Sequence, residues 1–287
     1  MTTQTTPRAE TFNLAEELWN SMVHGVAPWQ KTWAGGAAPG RPANVISGKD
    51  YRSGNSLYLM MVAMKNGWSN RWISFIESAK LGGNLAGERG VKIEVPLIKK
   101  QVDTATGLEK EFCRGFRAAT VFNVDQVKGV ELQGQTPKNL IESVESVERM
   151  LSNLKTQGLT YIEPSENGGC WYTPADDTIG MPLRTAFSDT YEFYSSLCHE
   201  MSHSTMREGR VERDKVTYGF EELRAEIAAT MLSCTLNLPR TQAQVDNHAA
   251  YLKPWLDEFA DKKQMLLRAA SDGQKIHDYL IGLSVNA

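Results

Sequence analysis

The sequence predicts an α+β fold in two domains, residues 1–135 and 136–287. Three observations lead there. The 287 residues exceed the ~150 of an average domain, which favours two. Helix-like and strand-like stretches follow one another without the regular alternation of a parallel βαβ sheet. The halves also differ in charge and texture: residues 1–135 hold 16 Lys and Arg against 12 Asp and Glu, and residues 136–287 hold 15 against 22. Five of the seven tryptophans fall by residue 72, and residues 51–100 carry eight basic side chains against three acidic ones.

The first half opens with a helix over about 9–24, where Phe12, Ala15, Trp19, Met22 and Val23 recur at helical spacing. A Pro/Gly/Trp-rich loop occupies 25–50. A helix over 54–66 and a short one over 71–80 follow, then a glycine-punctuated stretch at 82–90. Period-two runs at 91–99 and 112–122 predict a β-hairpin turning at Asp103 to Gly107. The polar segment Glu131 to Lys138, with Gly134 and Pro137, reads as a linker.

The second half opens with an amphipathic helix in which Leu140, Val144, Val147, Leu151 and Leu154 form one stripe, stopped by Gly158. Short strands are expected near 160–163, 169–173 and 178–182. A helix over about 189–207 and another from Gly219 to about 236 follow. Two further helical stretches, interrupted at Pro254 and Gly273, complete the chain.

Composition narrows the classes. With 41% hydrophobic and 23% charged residues the chain forms a core, which excludes collagenous and wholly disordered proteins. No apolar run reaches the ~18 residues of a membrane span. Met1 to Glu10 lacks the apolar stretch of a secretory signal. Cys113, Cys170, Cys198 and Cys234 stand far apart, with no CxxC pair, as expected of reduced thiols in a cytoplasmic protein.

The chemistry concentrates in His199-Glu200-Met201-Ser202-His203, an HExxH within the 189–207 helix. Positions i and i+4 share one helix face, so both imidazoles reach one ion, and zinc accepts such nitrogens at about 2.0–2.1 Å. Glu200, beside them, is placed to hold and deprotonate a water. A catalytic zinc takes a third protein ligand and keeps one position open. Glu222 and Glu226 lie on the next helix, themselves i and i+4, with eighteen residues between His203 and Glu222 for the chain to turn back. Either acid can ligate; we favour Glu222 as ligand and Glu226 as the group holding a histidine ring. Ala225, Ala228 and Ala229 allow the two helices to approach closely. His24, His248 and His277 lack such spacing and read as surface or structural residues.

The run from Tyr172 to Pro182, then Phe187-Ser188, the HExxH and Glu221 to Glu226 resembles the zincin-like metallopeptidase domain of the ArdC antirestriction family, which is related to the SprT-like proteases. Gly25 to Trp29, Trp33, Pro42 to Asn44, Tyr51 to Asn55, Trp72 to Phe75 and Phe122 to Gln126 resemble that family's N-terminal domain, found also at the head of certain plasmid primases. The resemblance implies a domain that binds single-stranded DNA joined to a metallopeptidase fold, carried by conjugative plasmids and protecting incoming DNA from restriction. It implies His199 and His203 as metal ligands, Glu200 as general base and an acid of 222/226 as third ligand. Zn2+ is the expected ion, with Mn2+ or another divalent cation able to use the same donors.

Single-stranded DNA is held by cations along the phosphates and by aromatic faces on which bases stack. Trp29, Trp33, Tyr51, Arg52, Asn55, Arg71 and Trp72 are therefore the expected DNA contacts, with Trp19 and Trp68 assigned to the core. Glycines 82, 83, 87 and 90 are expected to bring the backbone close to phosphates. The expected function is a DNA-binding zinc metallopeptidase acting in antirestriction, on a protein substrate the sequence does not name. The alternative is a non-catalytic coat for single strands whose metal site is structural or serves another role.

Overall fold

A computed structural model describes residues 12–24, 40–102, 109–130, 140–166, 168–187, 189–238 and 261–285. The expected linker at 131–138, the hairpin turn, Trp29, Trp33, His248 and Pro254 lie outside them.

In the first half, α1 (Leu14–His24) and α2 (Ser53–Asn66) accompany a four-stranded sheet. Its strands are β1 (Ala43–Asn44), β2 (Arg71–Ser74), β3 (Val91–Val102) and β4 (Glu109–Asn123), in the order β1-β2-β4-β3. Within this sheet β1 and β2 pair in parallel, and β2–β4 and β4–β3 pair antiparallel. One face buries Trp72, Ile93 and Val121 under Leu59 and Ala63 of α2. Ile73, Phe122 and Leu85 form a smaller apolar layer.

The expected 71–80 helix divides into β2 and α3 (Phe75–Lys80). Trp72 and Ile73 are buried on pairing with β4, and the Ser74 hydroxyl then accepts from the Glu77 amide while Glu77 Oε2 accepts from the Ser74 amide. That reciprocal cap starts the helix four residues late. Nor are all the 82–90 glycines free for a ligand. An added Cβ at Gly83 would meet Ser78 and Val127, and one at Gly90 would meet Thr120 and Phe122, so these two serve packing.

The second half holds α4 (Leu140–Thr156), a three-stranded sheet, α5 (Thr190–Ser204), α6 (Tyr218–Leu236) and α7 (Lys262–Val285). The sheet orders β5 (Thr160–Ile162), β7 (Thr178–Gly180) and β6 (Trp171–Thr173), which leaves β6 at an edge. Helix α6 is buried from Gly219 to Cys234, so every charge it carries needs a partner inside the protein. Gly273 does not interrupt α7. It lies mid-helix where a Cβ would come within 2.9 Å of Ile227 Cγ2 and 3.3 Å of the Ala228 nitrogen, so its missing side chain lets α6 and α7 touch.

One apolar cluster joins the halves. Leu14, Leu18, Leu57 and Met61 pack with Leu223, Ile227, Leu266 and Ala270. Polar contacts follow the same seam: Arg41 Nη2 donates to Gln274 Oε1 at 2.7 Å, and Arg52 pairs with Asp278.

Candidate metal centre

Helix α5 starts where Asp189 Oδ1 accepts from the amides of Tyr191 and Glu192, both at 2.8 Å. Helix α6 starts at Thr217, whose hydroxyl accepts from the Phe220 amide. Packing of α5 on α6 brings the HExxH against the first two turns of α6, where positive helix-end charge favours carboxylates.

His199 Nε2 and His203 Nε2 lie 3.1 Å apart. Glu222 faces both, with Oε2 3.4 Å from His199 Nε2 and Oε1 3.5 Å from His203 Nε2. Tetrahedral zinc with bonds of 2.0–2.1 Å separates its donors by about 3.3 Å, so two imidazoles and a carboxylate at these spacings fit one divalent ion. Among the described residues, His199, His203 and Glu222 are the group whose donor atoms could hold a metal.

The outer ring nitrogens are held as well. His199 Nδ1 donates to Glu226 Oε2 at 3.2 Å and His203 Nδ1 donates to Glu221 Oε1 at 3.1 Å. Each bond fixes a ring and turns the other nitrogen inward. Glu221 is tied to Arg213 at 3.3 Å and to Arg224, and Arg224 Nη1 stands 3.6 Å from Asp272 of α7. Sequence reasoning assigned Glu221 no role. Its signal was present: it precedes the ligand candidate and sits three residues before an arginine on a buried helix.

Charge follows this geometry. Burial raises the Glu222 pKa, but hydrogen bonds from the two histidines pull it well below the usual carboxylate range. Burial lowers the His199 pKa, yet bonding to Glu222 and Glu226 carries it well above the ordinary value of 6.5. His203 is raised in the same sense by Glu221 and Glu222.

Glu200, buried, lines a cavity of about 530 Å³ together with His199, His203, Glu222, Cys170 and Tyr172. Burial, then the nearby Glu200 carboxylate, push the Cys170 thiol up to about 11, so it is no ready nucleophile. One wall is the β6 edge. Gly180 leaves room for the Trp171 indole, and Tyr172 donates to Asp177, which Arg210 clamps with two nitrogens while reaching the Ser204 carbonyl.

Two family models match the chain. Residues 9–122 match the N-terminal domain of anti-restriction factor ArdC, and residues 146–272 match a zincin-like metallopeptidase. Crystal structures of antirestriction protein ArdC from the R388 plasmid, metal-free and Mn(II)-bound, superpose with TM-scores of 0.69 and 0.68. They are 27% and 28% identical and cover 95% of this chain and 97% of theirs. The chain belongs to the ArdC antirestriction family. This ArdC-type chain is also 31% identical, over 93% of its length, to two DNA primases TraC of Escherichia coli, of which it spans 19% and 26%. It is 28% identical to protein y4eC of Sinorhizobium fredii (strain NBRC 101917 / NGR234), covering 98% of this chain and 95% of that one.

The expected DNA contacts fare differently. Trp72 is a correction: its ring is fully buried and meets Trp68 edge-on at 6.5 Å, so it offers no face to a base. Asn55 is half-buried at the outer edge of β3, its side chain donating to the Glu94 carbonyl at 2.6 Å and accepting from the Glu94 amide at 3.1 Å. Tyr51 is half-buried against the Trp72 cluster, Arg71 is half-buried, and Arg52 is exposed but paired with Asp278. His277, read as surface or structural, is buried between Thr235 and Asp278. Among the described residues, no helix is long and apolar enough to cross a membrane.

Proposed function

We propose that this chain is an antirestriction protein that holds single-stranded DNA on its N-terminal half and cuts a DNA-associated protein with its C-terminal half. It would protect plasmid DNA entering by conjugation, in the cytoplasm. The observation that carries the peptidase reading is the convergence of His199, His203 and Glu222 beside Glu200 in one cavity. A divalent ion held there, zinc or the Mn(II) seen in the R388 protein, supplies Lewis-acid polarisation of a scissile carbonyl and a lowered water pKa.

The chain's own groups do the rest. Glu226 and Glu221 hold the imidazoles in the tautomer that presents Nε2 inward. Glu200 takes a proton from the attacking water and returns it to the leaving amine. Tyr218 and Met206 also line the cavity, where a peptide would lie.

Two measurements test this. Bound-metal analysis should find one divalent ion per wild-type chain and a loss in both His199→Ala and Glu222→Ala. Cleavage, including self-cleavage, is then followed with denatured casein and single-stranded DNA; Glu200→Gln should stop it while metal and DNA binding persist. Cleavage unchanged in Glu200→Gln overturns the mechanism.

A second reading, a non-catalytic coat with a structural ion, is favoured by the way the site ties three helices together through His203, Glu221, Arg224 and Asp272. Full protection of incoming DNA by Glu200→Gln would select it.

A further inference from the structure

The β3–β4 hairpin runs on past the sheet that anchors it. From Pro96 to Gln101 on β3, and at 111–114 and 116–118 on β4, every side chain is exposed. Such an arm is ordinarily polar on both faces. This one exposes Ile98 at 52%, Phe112 at 43% and Phe116 at 61%.

Strand alternation places Phe116, Ala118, Thr120 and Phe122 on one face of β4. Phe75, 60% exposed, stands over Phe122 with ring centroids 6.4 Å apart. An apolar row thus runs from the start of α3 up the arm to Phe116, a span of about 20 Å for six strand residues. Small Ala118 and Thr120 keep its middle low.

Cations lie on both faces of the arm. Lys92, paired in register with Thr120, shares the face of the row, whereas Lys99, paired with Phe112, and Arg117, paired with Val95, lie on the reverse face. Among the described residues, Lys92, Lys99, Arg114 and Arg117 make no ion pair, whereas the arm's Glu109 and Glu111 both lean on Lys100, at 3.2 and 3.7 Å. Unpaired guanidinium and ammonium groups beside open aromatic faces match the chemistry of a phosphodiester strand with unstacked bases.

Guarding of a free edge accounts for part of this. Pro96, Lys99 and Lys100 discourage strand addition to β3, and Asn55 covers the edge at Glu94. It does not account for Phe112 and Phe116, which a guarded edge sheds, and it argues against a protein partner that docks by adding a strand.

We infer that the β3–β4 arm is the platform on which single-stranded nucleic acid lies, with Phe116 and Phe75 as stacking faces, Lys92 as the phosphate contact on their face, and Arg114 at the bulge and Arg117 on the reverse face as phosphate contacts where the strand wraps the arm. The inference rests on the DNA-binding reading above and moves the site away from the Tyr51–Trp72 region.

The test is fluorescence anisotropy of a labelled oligothymidylate titrated with the full chain at several salt concentrations. Phe116→Ala should weaken binding roughly 5- to 150-fold, the range for one lost stack. Arg114→Ala/Arg117→Ala should also flatten the logarithmic salt slope by about 0.7 per lost contact. Both changes are at exposed positions, so unaltered melting curves should accompany them. Arg52→Ala serves as the comparison. Loss of affinity in Arg52→Ala with none in the arm variants overturns the arm while leaving DNA binding intact. A dimer dissociated by Phe116→Ala at unchanged DNA affinity overturns it in favour of self-association. Absence of salt-dependent binding by the wild-type chain overturns the DNA reading and the arm together.

Discussion

His203 donates through Nδ1 to Glu221 Oε1 at 3.1 Å, and this bond leaves the ring's other nitrogen no direction but toward His199 and Glu222. A cation held by those groups would therefore feel Glu221 without touching it. Glu221→Gln should lower metal affinity about 10- to 100-fold with the three donors intact. Competition with a chromophoric chelator measures this, and unchanged affinity would remove Glu221 from the site. Glu221→Ala should cost more, about 3–5 kcal/mol of stability, because Arg213 and Arg224 are left buried without their carboxylate.

Metal uptake should release protons near neutral pH. In the metal-free protein the neighbouring carboxylates raise the His199 pKa well above its ordinary value and favour a proton shared within the imidazole pair. A cation has to displace it, so affinity falls as pH falls. The sign for folding is opposite: a raised histidine pKa contributes stability that is fully present below the unfolded value of 6.5 and is lost as pH rises through the folded one. Calorimetry in buffers of different ionisation heat reads the released protons, and an apparent enthalpy identical in all of them would refute the coupling.

Gly273→Ala should destabilise the protein. In an ordinary helix interior the change gains about 1 kcal/mol. Here the new Cβ arrives 2.9 Å from Ile227 Cγ2 and 3.3 Å from a backbone nitrogen, and overpacking of that kind costs about 1–3 kcal/mol. Denaturant unfolding should show a net loss; a gain would mean that α6 and α7 separate without penalty.

Trp72→Phe separates core from DNA contact. Trp72→Ala should cost about 3–5 kcal/mol as a core truncation. Trp72→Phe, which keeps a ring in the pocket, should leave oligonucleotide affinity within about twofold if no base stacks there. A large loss in the folded Phe variant would return Trp72 to the DNA surface.

Most of the helices were legible because their apolar stripes recur with helical period, and the candidates for a third donor were legible because Glu222 and Glu226 share one helix face. The Nε2 geometry then favours Glu222, with Glu226 holding His199 from behind. What escaped the sequence depends on partners distant along the chain. Four residues of β2 are too few to display a period, so only pairing with β4 reveals a strand there. Trp72 reads the same whether its ring meets α2 or a base. Gly273 looks like a helix stop until Ala228 is set against it, and Glu221 looks like a solvent-facing acid until Arg213 and Arg224 arrive.

The cluster uniting Leu14, Leu57, Ile227 and Leu266 bears on how this chain is to be trimmed. Cut near residue 135, the first half would present to water the greasy side that α6 and α7 had roofed, and a sticky, poorly soluble fragment is the natural product. The two halves are thus welded into one cooperative body: heating should melt them in a single calorimetric peak, and any shortened version meant to keep the first half alone must replace that roof.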